Sequence, residues 1–153
     1  MPIEAPSLPV AAVWTGDAIA SELLAECLEG EGWKAFACEA FDNLLRVTDQ
    51  QDVDLLLTHW HDERRNHGRV SELVRRVRDT PGGTLRKPIL VGNMHFVDQE
   101  HAARKEPREW WPANWRETLA LYDVIVSPIY DLETLWRDVA ILAAQRTFSV
   151  PRP

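Results

Sequence analysis

Cysteine is scarce in this chain: 153 residues carry two, Cys27 and Cys38, and their spacing suits neither a metal knuckle nor a disulfide framework. Two buried, reduced thiols are the expectation. No apolar run approaches the roughly 20 residues that span a bilayer, and the start, Met1 to Pro9, lacks the basic and apolar halves of a secretory signal. A cytoplasmic protein without a membrane span is expected. Positive net charge is missing as well. The formal net charge is −7, which argues against bulk attraction to nucleic acid or to an anionic membrane. There is no internal repeat and no low-complexity tract.

What is present has ordinary globular composition, 45% hydrophobic and 27% charged, at a length typical of one domain that buries roughly two thirds of its unfolded surface. Pro2, Pro6 and Pro9 make residues 1–9 an extended lead-in. An ordered domain is expected over 10–146, with 147–153 as a tail.

Within the domain, short apolar runs alternate with amphipathic segments. Val10 to Trp14 reads as a strand, and Thr15-Gly16-Asp17 turns the chain into a helix with Ile19, Leu23, Cys27 and Leu28 on one face. Trp33 to Cys38 is a second strand, Phe41 to Thr48 a short helix. Val53 to Thr58 is an unbroken apolar strand of the kind buried on both faces, which implies a parallel sheet. Val70, Leu73, Val74 and Val77 recur at helical spacing, with Arg75, Arg76 and Arg78 opposite. Pro88 to Val91 and Val124 to Val126 complete the strands. A helix is expected from Trp115 to Leu121, and Asp131 caps a last one whose Leu132, Leu135, Trp136, Val139 and Leu142 face inward. Five strands alternating with helices predict an α/β, doubly wound, five-stranded parallel sheet of order 2-1-3-4-5, with helices on both faces. Any site then falls where the first and third strands end side by side, at Trp14, Thr15, Thr58 and His59.

The element order, with Leu55-Leu56-Leu57-Thr58-His59-Trp60, Pro88-Ile89-Leu90-Val91-Gly92-Asn93 and Val124-Ile125-Val126-Ser127-Pro128-Ile129, resembles the receiver domain of bacterial response regulators from about Val10 to Ala144. The resemblance implies an acidic pair after the first strand, a phosphoacceptor aspartate ending the third, a hydroxyl residue ending the fourth, and a lysine before a proline ending the fifth. Here Trp14 and Thr15 replace the pair, His59 the acceptor, Asn93 the hydroxyl and Ser127 the lysine; only Pro128 matches. Imidazole cannot form an aspartyl phosphate, and the oxygen ligands for magnesium are missing. The resemblance therefore implies a pseudo-receiver: a degenerate pocket on a retained scaffold, acting through a protein partner or a second copy of itself. No catalytic residue, metal ligand or cofactor is expected.

Other chemistries compete with this reading. Thr58-His59-Trp60-His61-Asp62 echoes the His-x-His-x-Asp-His signature of metallo-β-lactamase-like hydrolases, so a metal-dependent hydrolase built on His59 and His61, joined by His67 or His95, is the alternative. Glu63 and Arg64 break that pattern, and a cation beside neutral imidazoles opposes a divalent metal. Thr15-Gly16-Asp17 is similar to a flavodoxin phosphate loop, but Asp17 would bring its own negative charge there and reads better as a helix cap. Arg64, Arg65, Arg69, Arg75, Arg76, Arg78, Arg86 and Lys87 form a local basic stretch. It reads as a solvated face or a site for an acidic partner rather than for nucleic acid, since no base-reading motif accompanies it. Trp33 and Trp136 are expected in the core. Trp110, Trp111 and Trp115 cluster in an irregular stretch before the fourth helix, and are either an interaction surface or a satellite core under a loop.

Overall fold

A computed structural model describes residues 8–59, 69–93, 115–126 and 132–147. Five strands, β1 (Val10–Val13), β2 (Lys34–Ala37), β3 (Leu55–His59), β4 (Ile89–Asn93) and β5 (Val124–Val126), form one sheet in the order β2-β1-β3-β4-β5. Every pairing is parallel. Between them run α1 (Ala18–Gly30), α2 (Phe41–Gln50), α3 (Arg69–Arg78), α4 (Trp115–Ala120) and α5 (Leu132–Arg146). The expected doubly wound sheet is therefore present. Among the described residues no helix is long and apolar enough to cross a membrane.

Leu55, Leu56 and Leu57 explain why β3 lies at the centre. Successive strand side chains point to opposite faces, so this run must bury both. Leu56 joins Ala12 and Leu90 in a cluster with Phe41, Leu44, Val70, Leu73, Val74 and Val77 of α2 and α3. Leu55 and Leu57 join Ala11, Val13, Ile89 and Val91 in a second cluster with Leu24, Leu28, Leu135 and Val139 of α1 and α5. Burying one such leucine contributes about 1.5–3 kcal/mol, so the two clusters hold a helical layer on each face.

The α3 stripe is as expected, with Val70, Leu73, Val74 and Val77 buried. The face of α1 is not. Ile19 is 70% exposed and Leu23 57%, Cys27 is exposed, and the buried positions are Ser21, Leu24, Ala25 and Leu28. The N-terminal connection fixes this rotation, because Ser21 Oγ accepts from Thr15 N at 3.1 Å and lies 2.9 Å from Thr15 Oγ1. Holding Ser21 against the end of β1 turns the more apolar stripe outward. Only Cys38 is thus the expected buried thiol; burial, partly offset by a hydrogen bond with the Val13 backbone, pushes its pKa up to about 11. Trp33 and Trp136 pack against the second cluster but are only half-buried, and Leu132 is exposed.

The amino end of the sheet is tied by two carboxylates. Asp54 is fully buried just before β3; its Oδ2 accepts from Val10 N at 2.9 Å and its Oδ1 from Thr84 N and Leu85 N, both at 2.8 Å. Gly82 packs so closely on Asp54 Oδ1 that a Cβ there would overlap it. Asp123, before β5, accepts from Leu90 N at 2.9 Å and from both terminal nitrogens of Arg146, at 2.9 and 2.6 Å. That two-pronged pair ties the end of α5 to the sheet.

Candidate functional site

At the carboxyl end of the sheet the register brings the expected positions together. His59 pairs with Asn93, Thr58 with Gly92, and Asn93 with Val126. Trp14 follows β1 directly and extends the ladder by one bond, its N–H donating to Leu57 O at 2.9 Å. Trp14, Thr15, His59 and Asn93 therefore occupy neighbouring strand ends, as the sequence reading anticipated. Ser127 and Pro128 lie outside the described residues.

The side chains of Trp14, Thr15 and His59 are already engaged by their neighbours. Trp14 is 2% exposed and belongs to the core cluster beneath α2 and α3. Its ring centroid lies 5.5 Å from that of Phe41 and 6.3 Å from that of His59, the latter edge-on. Both arrangements fall within the range favoured by aromatic rings. An apolar anchor thus occupies the end of β1.

Thr15 holds a closed set of bonds. Its Oγ1 donates to Asp17 O at 2.8 Å and accepts from Asp17 N at 3.2 Å. With that proton committed, the 2.9 Å contact with Ser21 Oγ has serine as donor, while Ser21 Oγ accepts from Thr15 N. Hydroxyl capacity is filled on Thr15, and the Ser21 proton is spent on it. Asp17 is the N-cap of α1, its Oδ1 accepting from Ile19 N at 2.9 Å and Ala20 N at 3.4 Å. The carboxylate thereby caps the helix, as the capping reading expects, and places a negative charge where an anion would otherwise be favoured.

Gly16 shows how tightly the third strand end is packed. Its φ is +87°, and a Cβ there would stand 2.6 Å from His59 Cδ2 and 2.9 Å from His59 Nε2. Both backbone conformation and space demand glycine. The imidazole therefore lies against the β1–α1 turn, with Trp14 on a second side. Beside it, Asn93 is 9% exposed, and its buried Oδ1 has no hydrogen-bond partner among the described residues.

The partner of Thr58 and the role of Asp54 went unread in the sequence. Thr58, fully buried, has its Oγ1 2.7 Å from Tyr122 Oη. Asp54, the buried carboxylate just before β3, is five residues from His59 and so sits roughly 16 Å from it at the strand rise of about 3.3 Å. It serves the opposite edge of the sheet. A local signal existed in Asp54 preceding an all-apolar strand, but nothing near it in sequence named its partners.

Among the described residues no group of three His, Cys, Asp or Glu could hold a metal ion; His61, His67 and His95 lie outside them. The hydrolase alternative receives no support from the geometry. Trp110 and Trp111 also lie outside the described residues, and Trp115 opens α4.

No protein-family model and no curated protein matches the chain. Solved structures do. A response regulator receiver domain (CheY-like) from Methylobacillus flagellatus superposes with a TM-score of 0.59 at 16% identity, covering 89% of this chain and 99% of the other. A response regulator from Thermotoga maritima gives 0.61 at 14% identity, over 90% and 99%. The chain has the receiver fold. An orphan response regulator of H. pylori, at 12% identity and a TM-score of 0.58, covers 94% of this chain and 100% of that one. Set on the receiver fold, the strand ends described above are the ones at which the sequence resemblance expects the acidic pair, the acceptor and the hydroxyl.

Proposed function

We propose that this chain is a signalling module that keeps the receiver scaffold, takes up no phosphoryl group and works through protein contacts. One observation carries the reading: His59 stands at the end of β3, pressed against Gly16 and flanked by Trp14. The position expected of an acceptor carboxylate carries an imidazole, and the position of a metal-binding acid carries a buried indole. Magnesium favours oxygen ligands, preferably carboxylates, and Thr15 Oγ1 and Asp17 Oδ1 are occupied by bonds of their own. No catalytic role is assigned to any residue.

Incubation with acetyl phosphate and magnesium, followed by intact-mass measurement, tests the reading. No added phosphoryl group is expected for the natural chain. None is expected for His59→Asp either, because the acidic pair is still missing. A stable phosphoryl adduct on the natural chain would overturn it.

The protein contacts are assigned to the segment of Trp110, Trp111 and Trp115, whose aromatic area suits a binding hot spot. The partner is another protein or a second copy of this chain. Replacing Trp110 and Trp111 by Ala should weaken association by about 2 kcal/mol or more and leave the thermal midpoint nearly unchanged. Light scattering across a concentration series reads the first, calorimetry the second. Unfolding of the double variant would instead make these rings core.

A further inference from the structure

α1 packs chiefly on β1 and β2, whereas α5 packs on β4 and β5. Residues of both helices of this face line a groove of about 360 Å³. Leu28, Trp33, Leu85, Trp136, Ala140 and Ala143 supply its apolar walls, with both indoles half-buried. The alanines keep one wall low while the two tryptophans stand as flat faces. Pro9 also lines this groove, and it is the residue through which the chain enters the sheet, its carbonyl accepting from Lys34 N at 2.8 Å.

The residues before Pro9 have a fitting character. Pro6-Ser7-Leu8-Pro9 is a Pro-x-x-Pro sequence, which favours the polyproline II helix, and aromatic-lined grooves recognise segments of that kind. Polyproline II has three residues per turn, so in that conformation Pro9, Pro6 and Ile3 would share one edge. Leu8 belongs to another edge and is 57% exposed, as that geometry requires if Pro9 faces the groove. Lengths also agree. Pro9 to Ile3 would span roughly 19 Å at about 3.1 Å per residue, and the α5 stretch from Trp136 to Arg146, beside the lining residue Thr147, runs roughly 15 Å at about 1.5 Å per residue.

We propose that the lead-in of the same chain occupies this groove, continuing the seat of Pro9 with Pro6 and Ile3 against Trp33 and Trp136. The groove is then an intramolecular polyproline site that a competing Pro-x-x-Pro segment could enter only by displacing the lead-in.

Isotope-edited NMR of the full chain tests this directly. Cross-peaks are expected from the Ile3 methyls and the Pro6 ring to the Trp33 and Trp136 rings, and the joint substitution Ile3→Ser, Pro6→Ser should shift both indole N–H signals while leaving that of the buried Trp14 in place. Absence of the cross-peaks with unmoved indole signals overturns the proposal. Cross-peaks that arise only between labelled and unlabelled chains also overturn it, because the occupant is then a second copy's lead-in. The unmoved Trp14 signal, with an unchanged urea midpoint, shows that the double variant keeps its fold, so loss of fold does not confound the result.

Discussion

Tyr122 Oη and Thr58 Oγ1 are 2.7 Å apart although the residues are 64 apart in sequence. Between β3 and β5 at that level lies Gly92, which pairs with Thr58 on one side and with Ile125 on the other. A strand position without a side chain leaves room for the phenol to reach past β4. Tyr122→Phe removes the partner of a fully buried hydroxyl and should cost about 1–3 kcal/mol. The urea midpoint of the variant measures the loss. Thr58→Val in the Tyr122→Phe background should recover part of it, since both polar groups are then gone.

Asp54 should be among the positions least tolerant of change. Asp54→Ala strands three backbone N–H donors, those of Val10, Thr84 and Leu85, and each buried unmet donor costs about 1–3 kcal/mol. A loss of at least about 3 kcal/mol in chemical unfolding is expected. Asp54→Asn keeps one acceptor oxygen, enough for the Thr84 and Leu85 donors, and should fall between the two. Equal unfolding free energies for the alanine variant and the natural chain would contradict this role.

Gly16→Ala separates two demands made at one residue. The positive φ costs about 1–2 kcal/mol for an L side chain, and the contact with His59 adds to it. In a His59→Ala background the steric part disappears, so the penalty of Gly16→Ala should shrink there by a measurable coupling energy. Identical penalties in both backgrounds would mean that the ring does not lie against the turn.

The Asp123–Arg146 pair gives stability a pH dependence of known sign. Burial tends to raise the Asp123 pKa, but the Arg146 hydrogen bonds, the Leu90 N–H and the charges of Arg146 and Lys87 outweigh it, leaving it below the ordinary value of 3.8. A lowered folded-state pKa means that the unfolded chain binds the proton first. The contribution is therefore complete above the unfolded carboxylate range and is lost as pH falls through the folded value. Asp123→Asn should flatten that acid limb when urea midpoints are compared from about pH 6 to about pH 2.

The sheet order was legible because Leu55-Leu56-Leu57 cannot be a half-exposed strand and the α3 stripe has unambiguous helical spacing. The strand-end positions were legible once the resemblance supplied their alignment, and His59 and Asn93 are partners at the ends of β3 and β4. The rotation of α1 was not. Ile19 and Leu23 make the better apolar stripe, but Thr15 captures Ser21, and a hydroxyl pair bridging a turn leaves no periodic trace. Asp54 escaped for the same reason, its donors lying 30, 31 and 44 residues away.

The unequal fates of the two cysteines give this protein a built-in counting device. Cys27 stands on the outer face of α1, while Cys38 is shielded and held as the thiol by a pKa of about 11. Alkylation depends on thiolate and access, so the native chain offers an electrophile one sulfur and the unfolded chain two. A dye attached at Cys27 without mutagenesis would report from the α1 surface, and its second equivalent of uptake would register opening of the core.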